Sequence, residues 1–150
     1  MPSELENIAT QHVTIEQVSW QQAEAHLRQV RTVVFIEEQF VTPEFEWDDI
    51  DSTALHLLAL HGNKAIGCLR IIKHEKVGRM AVLKPWRGKG VGNMLLKQAI
   101  ELCRQHGSKQ IVLSAQTHAI HFYQQAGFKM TSGEYTDVQI PHVDMCLKLD

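Results

Sequence analysis

Three glycines on alternate positions, Gly88, Gly90 and Gly92, interleave with the cations Arg87 and Lys89 in the stretch PWRGKGVGN, Pro85 to Asn93. Glycines so placed lose ordering entropy without supplying packing, so folding alone does not account for them. The stretch falls between an expected strand and an expected helix, where unpaired backbone N–H groups and the positive helix end favour a phosphate or pyrophosphate. A plain strand-to-helix reversal explains a glycine pair, whereas three glycines with two cations point to an anion site. Two nucleotide motifs do not fit. A P-loop needs Ser or Thr after its Gly-Lys, but Gly88-Lys89 is followed by Gly90, and a dinucleotide fingerprint needs glycine where Asn93 stands.

Other reactive side chains are less tightly patterned. The stretch EFEWDDIDS could hold a cationic ligand, with Glu46 supplying charge and Trp47 a cation–π face; the plainer reading is a solvated acidic loop. His118 and His121 stand three apart, with His142 and Cys146 further on, but no spacing among them defines a ligand set, and no metal is expected. Cys68, Cys103 and Cys146 are odd in number and embedded in apolar sequence, which reads as reduced core thiols.

The elements that must position these residues follow from periodicity. After a polar tail through Gln11 and an apolar piece at His12 to Val18, Ser19 and Gln22 have capping-box spacing, and Trp20, Ala23, Leu27, Val30 and Val34 recur with helical period. The helix runs into VVFIEEQ and then into VTPEFEWDDIDST, where Pro43 and the Ser/Thr punctuation predict irregular structure. ALHLLAL, KAIGCLRIIK and KVGRMAVL read as three strands joined by hairpins. Beyond the glycines, Val91, Met94, Leu95, Ala99 and Leu102 line a helix stopped by Gly107. The apolar run Ile111 to Leu113 completes a β-α-β unit. Thr117 then caps a helix, HAIHFYQQAGF, stopped at Gly127, and EYTDVQ and HVDMCLKL form a closing pair of strands. The expected fold is α+β (mixed α/β), one domain spanning residues 1–150, with about seven mostly antiparallel strands and about four helices.

With the strand ending MAVL before it, R-x-x-G-x-G at Arg87, Gly90 and Gly92 resembles the coenzyme A pyrophosphate loop of the GNAT superfamily of N-acyltransferases. AQTHAIHFYQQAGF, Ala115 to Phe128, resembles that family's A-x-x-FY-x-x-x-GF segment, and the element order agrees from about Val13 to Leu149. VFIEEQ and IPHVDM further resemble a small stand-alone bacterial subgroup. The resemblance implies a sheet whose fourth and fifth strands splay apart, with the pantetheine arm paired to the backbone of Met80, Ala81 and Val82 and the pyrophosphate on Arg87, Gly88, Lys89, Gly90, Val91 and Gly92. A backbone N–H near Val82 would polarise the thioester carbonyl.

The implied reaction is acetyl transfer from acetyl-CoA to a primary amine of a small molecule or peptide. The departing thiolate calls for an acid, and a phenol, with a pKa of about 10, can serve. Tyr123 occupies the position at which the family commonly carries it; without the resemblance, Phe122 and Tyr123 read as core packing, and Tyr135 matches no motif. A base is also needed, since only roughly one lysine-like amine in two thousand is neutral at pH 7. Glu37, Glu38, Glu46, His56 and His142 are candidates, with no spacing to choose among them. If Glu46 and Trp47 face the thioester, polyamines, amino sugars or lysine-like amines are the favoured acceptors. The alternative is a non-catalytic CoA- or acyl-CoA-binding sensor or structural subunit with the same loop.

The composition sets the outer bounds. At 150 residues, 44% hydrophobic and 21% charged, the chain is long enough for one self-sufficient core. Its net charge of -2 offers no general attraction to nucleic acid or anionic membranes, and no apolar run approaches the ~20 residues that span a bilayer. MPSELENIATQH lacks the signature of a secretory signal, so a cytoplasmic protein is expected, and the family resemblance suggests a homodimer.

Overall fold

Ser19 opens the first helix through the reciprocal bonds that its spacing to Gln22 predicts. The Gln22 N–H donates to Ser19 Oγ at 3.1 Å and the Ser19 N–H to Gln22 Oε1 at 3.0 Å. The computed structural model describes residues 12–150, so the polar tail expected through Gln11 lies outside the described residues. Strand β1 is Val13–Val18, and helix α1, Trp20–Arg31, continues into π-helical turns over Thr32–Glu38. Helix α2 is Pro43–Glu46, and a 3-10 turn covers Asp49–Ser52. Then come β2 (Leu55–His61), β3 (Lys64–Ile72), β4 (Lys76–Val82), α3 (Val91–His106), β5 (Gln110–Gln116), α4 (Ile120–Gln125), β6 (Lys129–Met130), β7 (Tyr135–Asp137) and β8 (Ile140–Lys148).

One sheet runs β1-β2-β3-β4-β5-β8-β6, with β7 also paired to β8; its eighth strand is the two-residue β6, too short to leave a period in the sequence. Every pairing is antiparallel except β4 with β5, the two strands joined through α3. Helix α1 covers one face, with Trp20, Leu27, Val30 and Val34 against Leu58, Cys68 and Ala81. Helices α3 and α4 cover the other, with Leu95, Leu96, Ala99 and Tyr123 against Leu57, Ile66, Leu69, Ile111 and Leu113. Strand β3 lies between these layers, and Ala65 to Ile71 are buried without a break. Truncating one such leucine to alanine costs about 2–5 kcal/mol.

Three segments differ from the sequence-based expectation. VVFIEE is π-helical, with the consecutive Val34 and Phe35 buried. The acidic stretch holds regular structure: Pro43 starts α2, where its fixed φ fits and its missing N–H costs nothing, and Asp48 Oδ1 accepts from the N–H groups of Ile50 and Asp51 to cap the 3-10 turn. Thr117 begins a 3-10 turn rather than capping the helix, which starts at Ile120 behind Ala119.

The feature that shapes the site is the parting of β4 from β5. They pair only at Lys76 with Val112 and Val77 with Leu113. Their C-terminal ends, through Val82 and Gln116, therefore form the two lips of a gap. On its other edge β4 carries a bulge: Cys68 pairs with Ala81 and Arg70 with Gly78, and between them Arg79 takes a left-handed φ of 48°.

Candidate active site

The lip formed by β4 presents backbone to the gap. The Leu83 N–H donates across to Ile66 O at 2.9 Å, so by strand alternation the N–H and C=O of Val82 face away from β3, toward β5. Side chains alternate accordingly: Met80 and Val82 pack with the α3 layer, and Ala81 with the α1 layer.

Past a 3-10 turn at Lys84–Trp86 comes the glycine loop. Gly88 and Gly90 take φ of 75° and 88°, the left-handed region where a side chain is strained. Gly92 is different: its φ is not left-handed, and a Cβ there would only touch the Phe122 ring, at 3.4 Å, in ordinary contact. Gly90 is the N-cap of α3 and offers no side-chain cap, leaving the first N–H groups of a 16-residue helix open to an anion.

The two cations of the loop are differently placed. Arg87 donates through Nη1 and Nη2 to Glu38 at 2.6 and 2.9 Å, and through Nε to Val82 O at 2.8 Å. Lys89 has no carboxylate partner among the described residues, and its ammonium lies 5.5 Å from the centre of the Trp86 ring. The Arg87 hydrogen bonds hold the Glu38 carboxyl below the usual carboxylate range, which makes Glu38 a poorer base.

Tyr123 sits on α4 with its ring against Phe122 and Phe128, 5.1 and 5.8 Å between centroids. It is 8% exposed, and burial pushes its phenol up to about 12, so it stays protonated at neutral pH. Core packing and an acid's protonation state coincide in this residue.

Glu46 and Trp47 do not present a free carboxylate and ring to a ligand, which corrects the acidic-loop expectation. Glu46, 3% exposed, accepts from Arg31 Nε at 2.7 Å and lies 3.2 Å from Arg79 Nε. Asp51, equally buried, binds Arg31 at 2.8 Å and Arg70 at 3.0 Å, and Asp48 binds Arg70 at 2.9 Å. Burial opposes the charge on Arg31, but the Asp51 hydrogen bond and the Glu46 charge outweigh it and raise its pKa. The Trp47 ring covers Arg28 and Arg31, at 4.6 and 5.0 Å from their guanidinium carbons. Three arginines distant in sequence turn this acidity inward. His56 belongs to the same network, its Nε2 bonded to Asp51 O at 2.9 Å, and burial lowers its pKa.

On the far lip, β5 and β8 build a polar wall. His142 is the cross-strand partner of Gln116 and is 7% exposed, with Nδ1 bonded to Ile140 O at 2.7 Å. A carbonyl only accepts, so Nδ1 carries a hydrogen, and in the neutral imidazole the lone pair is then on Nε2. Tyr135 stacks on His142, donates to Asp144 Oδ1 at 2.6 Å and makes a short hydrogen bond with Ser114 Oγ. Nothing in the sequence joined these four residues; they lie on three paired strands, β5, β8 and β7, and meet only through the register. Glu37 is exposed on the π-helical turn. Among the described residues no three His, Cys, Asp or Glu side chains converge as a metal would need, so His118 and His121 do not meet His142 and Cys146 in a ligand set.

Comparison with known proteins agrees with this architecture. Residues 11–149 match the model of the GNAT acetyltransferase domain. YyaT of Bacillus subtilis is 36% identical over 122 residues, which cover 77% of this chain and 82% of that protein. ElaA of Escherichia coli is 32% identical over 127 residues, 79% of this chain and 83% of the relative. The crystal structure of E. coli ElaA superposes with a TM-score of 0.81 at 28% identity, covering 89% of this chain and 98% of that one. An acyl-CoA N-acyltransferase from Pseudomonas aeruginosa gives a TM-score of 0.80 at 26% identity over the same shares. With its parted β4 and β5, its glycine loop and a domain match along nearly its whole length, this chain belongs to the GNAT acetyltransferase family.

Proposed function

We propose that the protein transfers the acetyl group of acetyl-CoA directly to a primary amine of a small molecule or peptide. The observation that carries this reading is the continuous track from the outward backbone of Val82 to the uncapped start of α3 at Gly90. A pantetheine amide pairs with the first as an added strand would, and a pyrophosphate suits the second. Lys89 supports that site as the loop cation without a carboxylate partner among the described residues.

The neutral amine attacks the thioester carbonyl, whose oxygen takes up negative charge in the tetrahedral intermediate. The Val82 N–H faces the gap and is suited to stabilise that oxygen. The surplus proton on nitrogen goes to a base, for which we assign His142: its Nε2 lone pair is available, whereas Glu38 is held by Arg87, and Glu46 and His56 are locked in the arginine network. As the carbonyl reforms, the C–S bond breaks, and the sulfur takes the phenolic proton of Tyr123. Solvent then returns a proton to Tyr123 and removes one from His142.

Thiol release from acetyl-CoA across polyamines, amino sugars, amino acids and peptide amines tests this. Tyr123→Phe keeps the ring packing and is expected to lower turnover by about 100-fold or more while CoA affinity holds. CoA binding without turnover on any amine would instead favour a non-catalytic CoA-binding protein.

A further inference from the structure

Two consecutive residues at the end of the π-helical turns reach to opposite lips of the gap. Glu38 takes the two-pronged bond from Arg87, whose Nε also binds Val82 O, so this anchor fastens to the end of β4. Gln39 Oε1 accepts from Gln116 Nε2 at 2.8 Å, and Gln116 is the last residue of β5. β4 and β5 pair only at their other ends, so their own ladder does not set how far apart the lips stand. The backbone leaving the strap is tightly constrained. Phe40 takes a left-handed φ of 62° although its side chain is 84% exposed, and Val41, buried, donates its N–H to Phe35 O at 2.9 Å. A bulky residue keeps such a conformation only where its surroundings over-determine it.

We propose that Glu38 and Gln39 form a strap across the gap, and that the Gln39–Gln116 bond fixes the width at which the lips receive the pantetheine arm. Gln39 and Gln116 are thus positioning residues; this rests on the reading of the gap as the CoA channel. Arg87 acts here as an anchor of the β4 lip.

The test is a double-mutant cycle on the whole chain, with CoA as the calorimetric probe and hydrogen exchange as an independent readout. Gln39→Ala and Gln116→Ala are each expected to weaken CoA binding by about fivefold, the effect of one hydrogen bond, and the double variant no further. Amide exchange quickens in segments 78–82 and 114–116 of the unliganded variants, while segments 57–71 exchange as in the wild type, which shows an intact fold. Gln39→Glu keeps the accepting oxygen and retains affinity, whereas Gln116→Glu sets two acceptors face to face and loses it. Effects that multiply in the double variant, or unchanged exchange at both lips, overturn the strap. Failure of the wild type to bind CoA overturns the channel reading instead, and the exchange data still decide whether the strap exists.

Discussion

The acidic stretch Glu44 to Ser52 and the glycine loop Arg87 to Gly92 are both charged, both punctuated by residues that resist long regular structure, and both candidates for a ligand; the fold treats them oppositely. The first is drawn inward. Glu46 and Asp51 are each 3% exposed, held by Arg31, Arg70 and Arg79, and the guanidiniums of Arg28 and Arg31 lie over indole rings. The second stays open, with left-handed Gly88 and Gly90, an uncapped helix start and Lys89 without a carboxylate partner among the described residues. Charge in sequence does not distinguish a site from a strut. What distinguishes them is how completely the rest of the chain supplies counter-charges: Glu46 and Asp51 are buried and paired, since buried carboxylates without partners would be too costly to keep, whereas in the loop Glu38 pairs Arg87 alone.

Substitution breaks the comparison most strongly on the inward side. Arg31→Met leaves Glu46 and Asp51 buried without their main partner, and urea unfolding should register a loss of about 3–5 kcal/mol. The same network gives an acid limit. Burial raises the Asp51 carboxyl, but the hydrogen bond and charge of Arg31 outweigh it, and its pKa lies below the ordinary value. A carboxyl depressed in the folded state contributes stability above its unfolded pKa of about 3.9 and loses it as pH falls through the lower folded value. Wild-type stability should therefore fall below about pH 4, and Asp51→Asn, less stable at neutral pH, should show a shallower decline over that range.

Effects on the open side are smaller in stability and larger in binding. Gly90→Ala, at a φ of 88°, should cost about 1–2 kcal/mol and, on the proposed reading, also weaken CoA binding, because the strained turn displaces the N–H groups that would meet the pyrophosphate. Lys89→Ala should leave unfolding within about 0.5 kcal/mol of wild type yet weaken CoA binding, less so at high salt. If instead Lys89→Ala unfolded the protein and Arg31→Met did not, the contrast between strut and site would be reversed.

Much of this was legible before any tertiary structure. The Ser19–Gln22 cap, the face of α1, Val91, Leu95 and Ala99 on α3, the stop at Gly107 and the order of strands around the glycine loop all follow from local period and punctuation. The parallel β4/β5 pair follows from a strand-helix-strand connection. The π-helical turns over Thr32–Glu38 did not show, because an extra residue per turn leaves no repeat in seven residues. The fate of Glu46 and the roles of Gln39, Ser114, Gln116 and Asp144 did not show either, since each depends on a partner many residues away. Among the base candidates, His56 and His142 each bond a backbone carbonyl through one ring nitrogen, but His56 does so inside the arginine network and His142 beside the end of β5.

By itself the sequence determined the two long helices, most of the strands, the anion-ready loop and the family resemblance, because periodicity, capping and glycine conformations act within a few residues. The tertiary structure alone decided which charges are paired and which nitrogen of His142 is free. It also decided that residues 38 and 39 bridge the two lips of the gap, because those outcomes depend on distances between segments that only packing brings together.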